Sequence, residues 1–249
     1  MSQNSSKSLR PVQTLSSIVF LCGWVIVGFF TAQITTSFVW QLFSQEKDLT
    51  TLAQLVLTAC AYIVATGIII GMTLLLKPYP RQKFVQLLGI HRLLRFRDTG
   101  LAFLGYGGYF LLAILVTLGI QLIWPDFPID QKQQVGFQDI SLPIHYVYAF
   151  LALVVVAPIF EEILFRGYLF GFIRKKTSFF LTALLVSGIF GLIHLQLNVA
   201  IDVFCLSLVA CYLREKTGTI WASVLLHMIK NGIAFFLLFL RPDLLHLIR

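Results

Sequence analysis

The apolar residues of this chain fall into long sustained runs, roughly 15–43, 51–76, 100–124, 144–173, 178–195, 198–213 and 219–240. About twenty apolar residues cross about 30 Å of hydrocarbon as a helix, and a helix satisfies its own backbone where no water can. An all-α fold follows: a polytopic transmembrane helix bundle of about seven spans, with any active site inside the bundle. Composition agrees, because 58% of the 249 residues are hydrophobic and 12% charged, about half the charge of an ordinary soluble domain. A soluble globular protein is excluded. The formal charge of +8 resides in loops beside apolar spans, so it is a topology signal and no nucleic-acid partner is expected.

Those loops give an orientation. Lys7 and Arg10 precede the first span, and the loop after the second holds Lys77, Arg81, Lys83, Arg92, Arg95 and Arg97 against Asp98. Both are expected in the cytoplasm, giving an integral, multi-pass protein of the cell membrane in a prokaryote, with its N-terminus inside. The loops with Glu46, Lys47 and Asp48 and with Asp126, Asp130, Lys132 and Asp139 are net acidic, and Arg174, Lys175, Lys176, Arg214 and Lys216 return at alternate turns. Arg241 and Arg249 would then lie outside, against the rule, so the crossing number stays open. Trp40, Trp124 and Trp221 sit near span ends, as interfacial aromatics do. The first run is too long for a signal-peptide core and is read as a retained span. Cys22, Cys60, Cys205 and Cys211 lie in apolar runs without C-x-x-C spacing and read as small hydrophobes.

Two regions emerge: residues 1–142, with three spans and a basic cytoplasmic segment at 77–99, and residues 143–249, with four spans. Between Lys77 and Asp98 apolar and basic residues alternate at helical spacing, which fits an amphipathic helix along the membrane surface or a solvated basic loop. Everything suggestive of chemistry lies in the second region.

An ionised side chain at mid-bilayer costs about 2.5–3.5 kcal/mol on insertion scales and marks a functional site by default. The fourth span reads APIFEEILFRG, with Glu161 and Glu162 shortly after Pro158 and Arg166 four residues beyond Glu162. That spacing suits an intrahelical Glu162–Arg166 pair, leaving Glu161 about 100° away on the helix. Pro158 cannot donate to the carbonyl of Val154 and is expected to kink the helix. The bland alternative is an ion-pair staple between helices. His194 follows Phe190 by four residues in the fifth span, and His227 and Asn231 share a face of the seventh. Asp202 and Lys230 are further ionisable residues at mid-span. Counting 1.5 Å per residue from flanking charges, Glu161, His194, Asp202, His227 and Asn231 all lie about 16–27 Å deep. One water-filled cavity lined by Glu161, Glu162, His194, His227 and Asn231 is the economical account.

A carboxylate and an imidazole facing one water can deprotonate it, while a second imidazole and a carboxamide can donate to a tetrahedral oxyanion. That set suffices for amide hydrolysis. Ser187 and Ser223 are the nearest candidates for a covalent nucleophile, and neither is placed convincingly beside a histidine. Glu161, His194 and His227 could instead hold a divalent metal, zinc above all. Without an H-E-x-x-H pair, and with Asn a poor zinc ligand, metal-free catalysis with no cofactor is preferred.

Glu161-Glu162-x-x-x-Arg166, Phe190-x-x-x-His194 and His227-x-x-x-Asn231, in this order on successive spans, resemble the motifs of the CAAX-protease and bacteriocin-processing (CPBP, Abi) intramembrane proteases, which include the type II CAAX prenyl endopeptidases. FRGYLFG and REKTGTIWASVLLH are similar to the surrounding phrasing of that family. The resemblance covers about residues 143–235. It implies that Glu161 activates water with help from His194, that His227 and Asn231 stabilise the oxyanion, and that Glu162, Arg166 and Phe190 support them. The implied substrate is a membrane-anchored peptide or protein, a prenylated CAAX-type chain included, and membrane lipids are the other expected partners. The family is often labelled metalloprotease. Competing readings are a non-catalytic bacteriocin-immunity or scaffold protein of the same fold, and a proton-coupled transporter using Glu161, Asp202 and Lys230.

Overall fold

The computed structural model describes residues 11–43, 51–76, 78–129, 131, 140 and 142–245. Nine helices and no strand occur among them: α1 Pro11–Phe43, α2 Thr51–Leu76, α3 Arg81–Leu88, α4 Phe96–Ile123, α5 Pro143–Arg174, α6 Phe179–Leu192, α7 Leu197–Thr217, α8 Trp221–Leu240 and α9 Pro242–Leu245. Six of these, α1, α2, α4, α5, α7 and α8, are long and apolar enough to cross a membrane. On their outer surfaces large apolar side chains are exposed in rows, as with Leu104, Leu111, Leu115, Leu118 and Leu122 along α4. Such a continuous apolar face belongs against lipid. This is a polytopic membrane protein.

The fifth expected span is shorter than its apolar run. With 14 residues, α6 extends about 21 Å and ends at Leu192, so His194 lies in a turn and not within a helix as expected from the sequence. The reason is local: Leu195 takes a left-handed φ of 56° and the Gln196 N–H closes onto the His194 carbonyl at 2.7 Å. The chain then reverses into α7, and at Gly191 any Cβ would stand 2.8 Å from the Ala200 carbonyl. Lys7, Arg10, Glu46, Lys47, Asp48, Lys77, Asp130, Lys132, Asp139 and Arg249, on which much of the expected orientation rests, lie outside the described residues, as does the side chain of Trp40.

α5 is the central element. α1 and α2 pack on one side of it and α8 on another, while α3, α6 and α7 meet its second half. Its winding widens to π-helix at Leu151–Val156 and again at Ile163–Leu169. α2 does the same at Gly67–Gly71 and α8 at Phe236–Leu240.

Segment 78–98 settles between its two readings. It forms a helix, α3, which docks on the bundle and buries Phe84, Leu87 and Leu88. Gly89 at φ 70° stops it in a left-handed cap. The buried Arg214 donates from Nη2 to the Leu87 carbonyl at 2.9 Å and from Nε to the Arg166 carbonyl at 3.1 Å. One side chain thus ties α3, α5 and α7. Further along, the Ile220 N–H donates to the Gly89 carbonyl and the Trp221 indole to the Arg92 carbonyl. The close approach depends on glycine, since a Cβ on Gly171 would stand 2.6 Å from the Leu87 carbonyl. Gly171→Ala is therefore expected to push α3 off α5 at a cost of about 1–3 kcal/mol, read as a lower melting temperature in detergent. An unchanged melting temperature would refute this account of the contact.

Candidate active site

Glu161 and Glu162 are neighbours on α5 with different surroundings. The Glu162 side chain is wholly buried. Its Oε1 accepts from Arg166 Nη1 at 2.8 Å and from His227 Nδ1 at 3.0 Å. The i,i+4 ion pair expected from the sequence is present, fully enclosed. Arg166 also lies flat against aromatic surface, its guanidinium carbon 4.4 Å from the centre of the Phe190 ring. Its Nε and Nη2 find no hydrogen-bond partner among the described residues.

Glu161 points elsewhere. Its side chain keeps 10% exposure, so it is the carboxylate that a small molecule can reach. Tyr62 of α2 donates its hydroxyl to Glu161 Oε1, and His227 Nε2 stands 3.7 Å from Glu161 Oε2. Tyr62 was not among the residues picked out from the sequence. One tyrosine in an apolar span carries little signal, although its buried hydroxyl must find a partner somewhere. Tyr62 in turn stacks on Phe160, with ring centroids 5.9 Å apart.

The two imidazoles are oriented alike. His194 donates from Nδ1 to the Phe190 carbonyl at 2.7 Å, and His227 from Nδ1 to the Glu162 carboxylate. Both partners only accept, so each ring carries its proton on Nδ1 and leaves Nε2 free to take or share one. Phe190 stands between them, its ring centroid 5.1 Å from that of His194 and 5.8 Å from that of His227, both edge-on. His194 lies within electrostatic reach of Glu161, His227 and Lys230.

Asn231 is tied to the backbone. In the π winding of α5 the carbonyl of Leu153 would accept from the N–H five residues on, and that residue is Pro158, which has none. Asn231 fills the vacancy, donating from Nδ2 to the Leu153 carbonyl at 2.9 Å. Lys230, its neighbour, pairs with Asp202 of α7 at 3.0 Å, and Asp202 also accepts from the Tyr109 hydroxyl of α4 at 2.5 Å. These three helices are thereby joined beside the carboxylate pair. Ser223 donates to the Ile220 carbonyl. Among the described residues no group of three or more His, Cys, Asp or Glu side chains is disposed to hold a metal ion.

Tyr62→Phe removes a donor from Glu161 and little else. It is expected to lower the rate of any reaction that uses Glu161 about tenfold, the worth of one hydrogen bond to a charged group, without changing KM. An unaltered kcat would show that Tyr62 does not position the carboxylate.

The fold and these buried groups define a membrane protein with a carboxylate–imidazole site enclosed by its helices. Comparison with known proteins then adds a similarity: residues 143–233, from the start of α5 into α8, match the type II CAAX prenyl endopeptidase Rce1-like family. The similarity to CPBP proteases read from the three motifs holds over this stretch. Among curated proteins, "Putative membrane peptidase YdiL" of Bacillus subtilis (strain 168) is 35% identical over 77 residues, 31% of this chain and 32% of that protein. The match thus spans about a third of its length. No solved structure matches. Tyr62 and Tyr109 lie outside the family match.

Proposed function

We propose that the protein is an intramembrane endopeptidase that hydrolyses a peptide bond of a membrane-anchored peptide or protein, with prenylated C-terminal peptides as the first substrate class to test. The observation that carries this is the division of labour between adjacent carboxylates. Glu162 is spent on Arg166 and His227, while Glu161 is partly accessible and faces an imidazole nitrogen across 3.7 Å.

In this mechanism a water held by Glu161 Oε2 and a histidine Nε2 loses its proton to Glu161 as its oxygen attacks the peptide carbonyl carbon. The carbonyl π electrons move to the oxygen, and the second N–H of Asn231 donates to that oxyanion. Collapse breaks the C–N bond, and the proton on Glu161 passes to the leaving amine. Glu162 holds the His227 tautomer and Arg166 balances Glu162.

Purified protein in liposomes, mixed with prenylated and unprenylated membrane peptides in water enriched in oxygen-18, tests the reading. Expected are shortened peptides carrying the label in the new carboxylate. Absence of cleavage across both peptide classes, or cleavage unaffected by loss of Glu161, would reject it.

A further inference from the structure

No step of the hydrolytic mechanism uses Asp202 or Lys230, yet both are ionisable residues in membrane-spanning helices, where a charge is costly. Lys230 Nζ of α8 stands 3.0 Å from Asp202 Oδ2 of α7, and Asp202 Oδ1 accepts from the Tyr109 hydroxyl of α4. The elements joined in this way carry different parts of the site. α6 and α7 form a hairpin whose turn holds His194. The His194 ring is bonded to the Phe190 carbonyl of α6 at 2.7 Å, the Gln196 N–H closes on the His194 carbonyl just ahead of α7, and at Gly191 the two helices meet without a side chain between them. His227 and Asn231 belong to α8 instead. Ring contacts through Phe190 lie between the two imidazoles.

We propose that Asp202 and Lys230 are positioning residues: their ion pair, steadied by Tyr109, sets the hairpin that carries His194 against the helix that carries His227 and Asn231, and so sets the spacing of the two imidazoles. The expected effect on turnover rests on the hydrolytic reading above; the geometry does not. Between helices in lipid there is no hydrophobic driving force to hold one rotation, and a slip of one residue turns α8 by about 100°. Such a slip would carry His227 off Glu162 and Asn231 off the Leu153 carbonyl. Polar contacts between helices fix register where apolar packing tolerates alternatives. Asp202 lies in the second turn of α7, close to the His194 turn, and Lys230 directly precedes Asn231, so the pair acts next to the groups it has to align.

Two variants of the full chain, compared with wild type, test it. Y109F/D202L/K230M makes the trio apolar and leaves none of its polar groups unpaired, so it should melt no lower than wild type. Its kcat should nevertheless fall about a hundredfold, as a misplacement of about 1 Å causes, with KM unchanged. In D202Q/K230Q a neutral hydrogen bond replaces the ion pair, the longer side chain at 202 making up for the shorter one at 230, and most of the lost turnover should return. The nitrogen-15 signals of the His227 imidazole, which report its bond to Glu162 without any substrate, should move in the first variant and stay in the second. Unchanged kcat or unmoved His227 signals in Y109F/D202L/K230M overturn the proposal, as does a melting temperature well below that of wild type. Equal loss of turnover in the two variants overturns it as well, because charge and not position would then be what matters. If wild type cleaves no peptide, the hydrolytic reading fails and the His227 signals alone decide for or against the positioning role.

Discussion

Glu161→Gln should reduce peptide cleavage at least about a thousandfold, the upper range of what a positioned proton acceptor contributes, while the protein folds as before. The substitution is nearly isosteric. The amide oxygen of the new side chain can still accept from Tyr62 and its nitrogen can donate to His227 Nε2, so neither contact is lost. What disappears is the ability to hold a proton taken from water. Cleavage in liposomes and the melting temperature in detergent, measured on one preparation, separate the two effects. Turnover within tenfold of wild type would remove Glu161 from the mechanism.

Arg166→Met should have the largest effect on folding. It leaves the Glu162 carboxylate enclosed without its guanidinium partner, and removing one partner of a buried ion pair costs about 3–5 kcal/mol. The Phe190 ring also loses the guanidinium that covers it at 4.4 Å. In the double variant E162Q/R166M no unpaired charge remains, so most of that loss should be recovered. Melting temperatures of the two variants give the comparison. A single variant as stable as wild type, or a double variant no better than the single, would mean that Glu162 is not held as a charge by Arg166.

The sequence revealed what is local and periodic. The long apolar spans, the i,i+4 pairing of Glu162 with Arg166 and the motif positions of His194 and His227 depend on neighbours a few residues apart, and all could be read. Partners far along the chain could not. Tyr62 and Glu161 are 99 residues apart, and nothing in an apolar run tells whether its one tyrosine turns inward. Arg214 reads as an ordinary inner-loop cation, yet it is buried and bonded to carbonyls of α3 and α5. Asp202 and Lys230 are each conspicuous in their spans, but their pairing required α7 and α8 to be set side by side. The short α6 was hidden because hydropathy continues through Ile193 and Leu195 after the helix has stopped.

The vacancy at the Leu153 carbonyl has an evolutionary corollary. Imino acid at 158 and carboxamide at 231 are two halves of one arrangement, made across two helices through the carbonyl of Leu153. A descendant that exchanges Pro158 for a residue with its own amide hydrogen no longer needs Asn231 there, and one that loses Asn231 gains by exchanging Pro158. The two positions should therefore drift together among relatives.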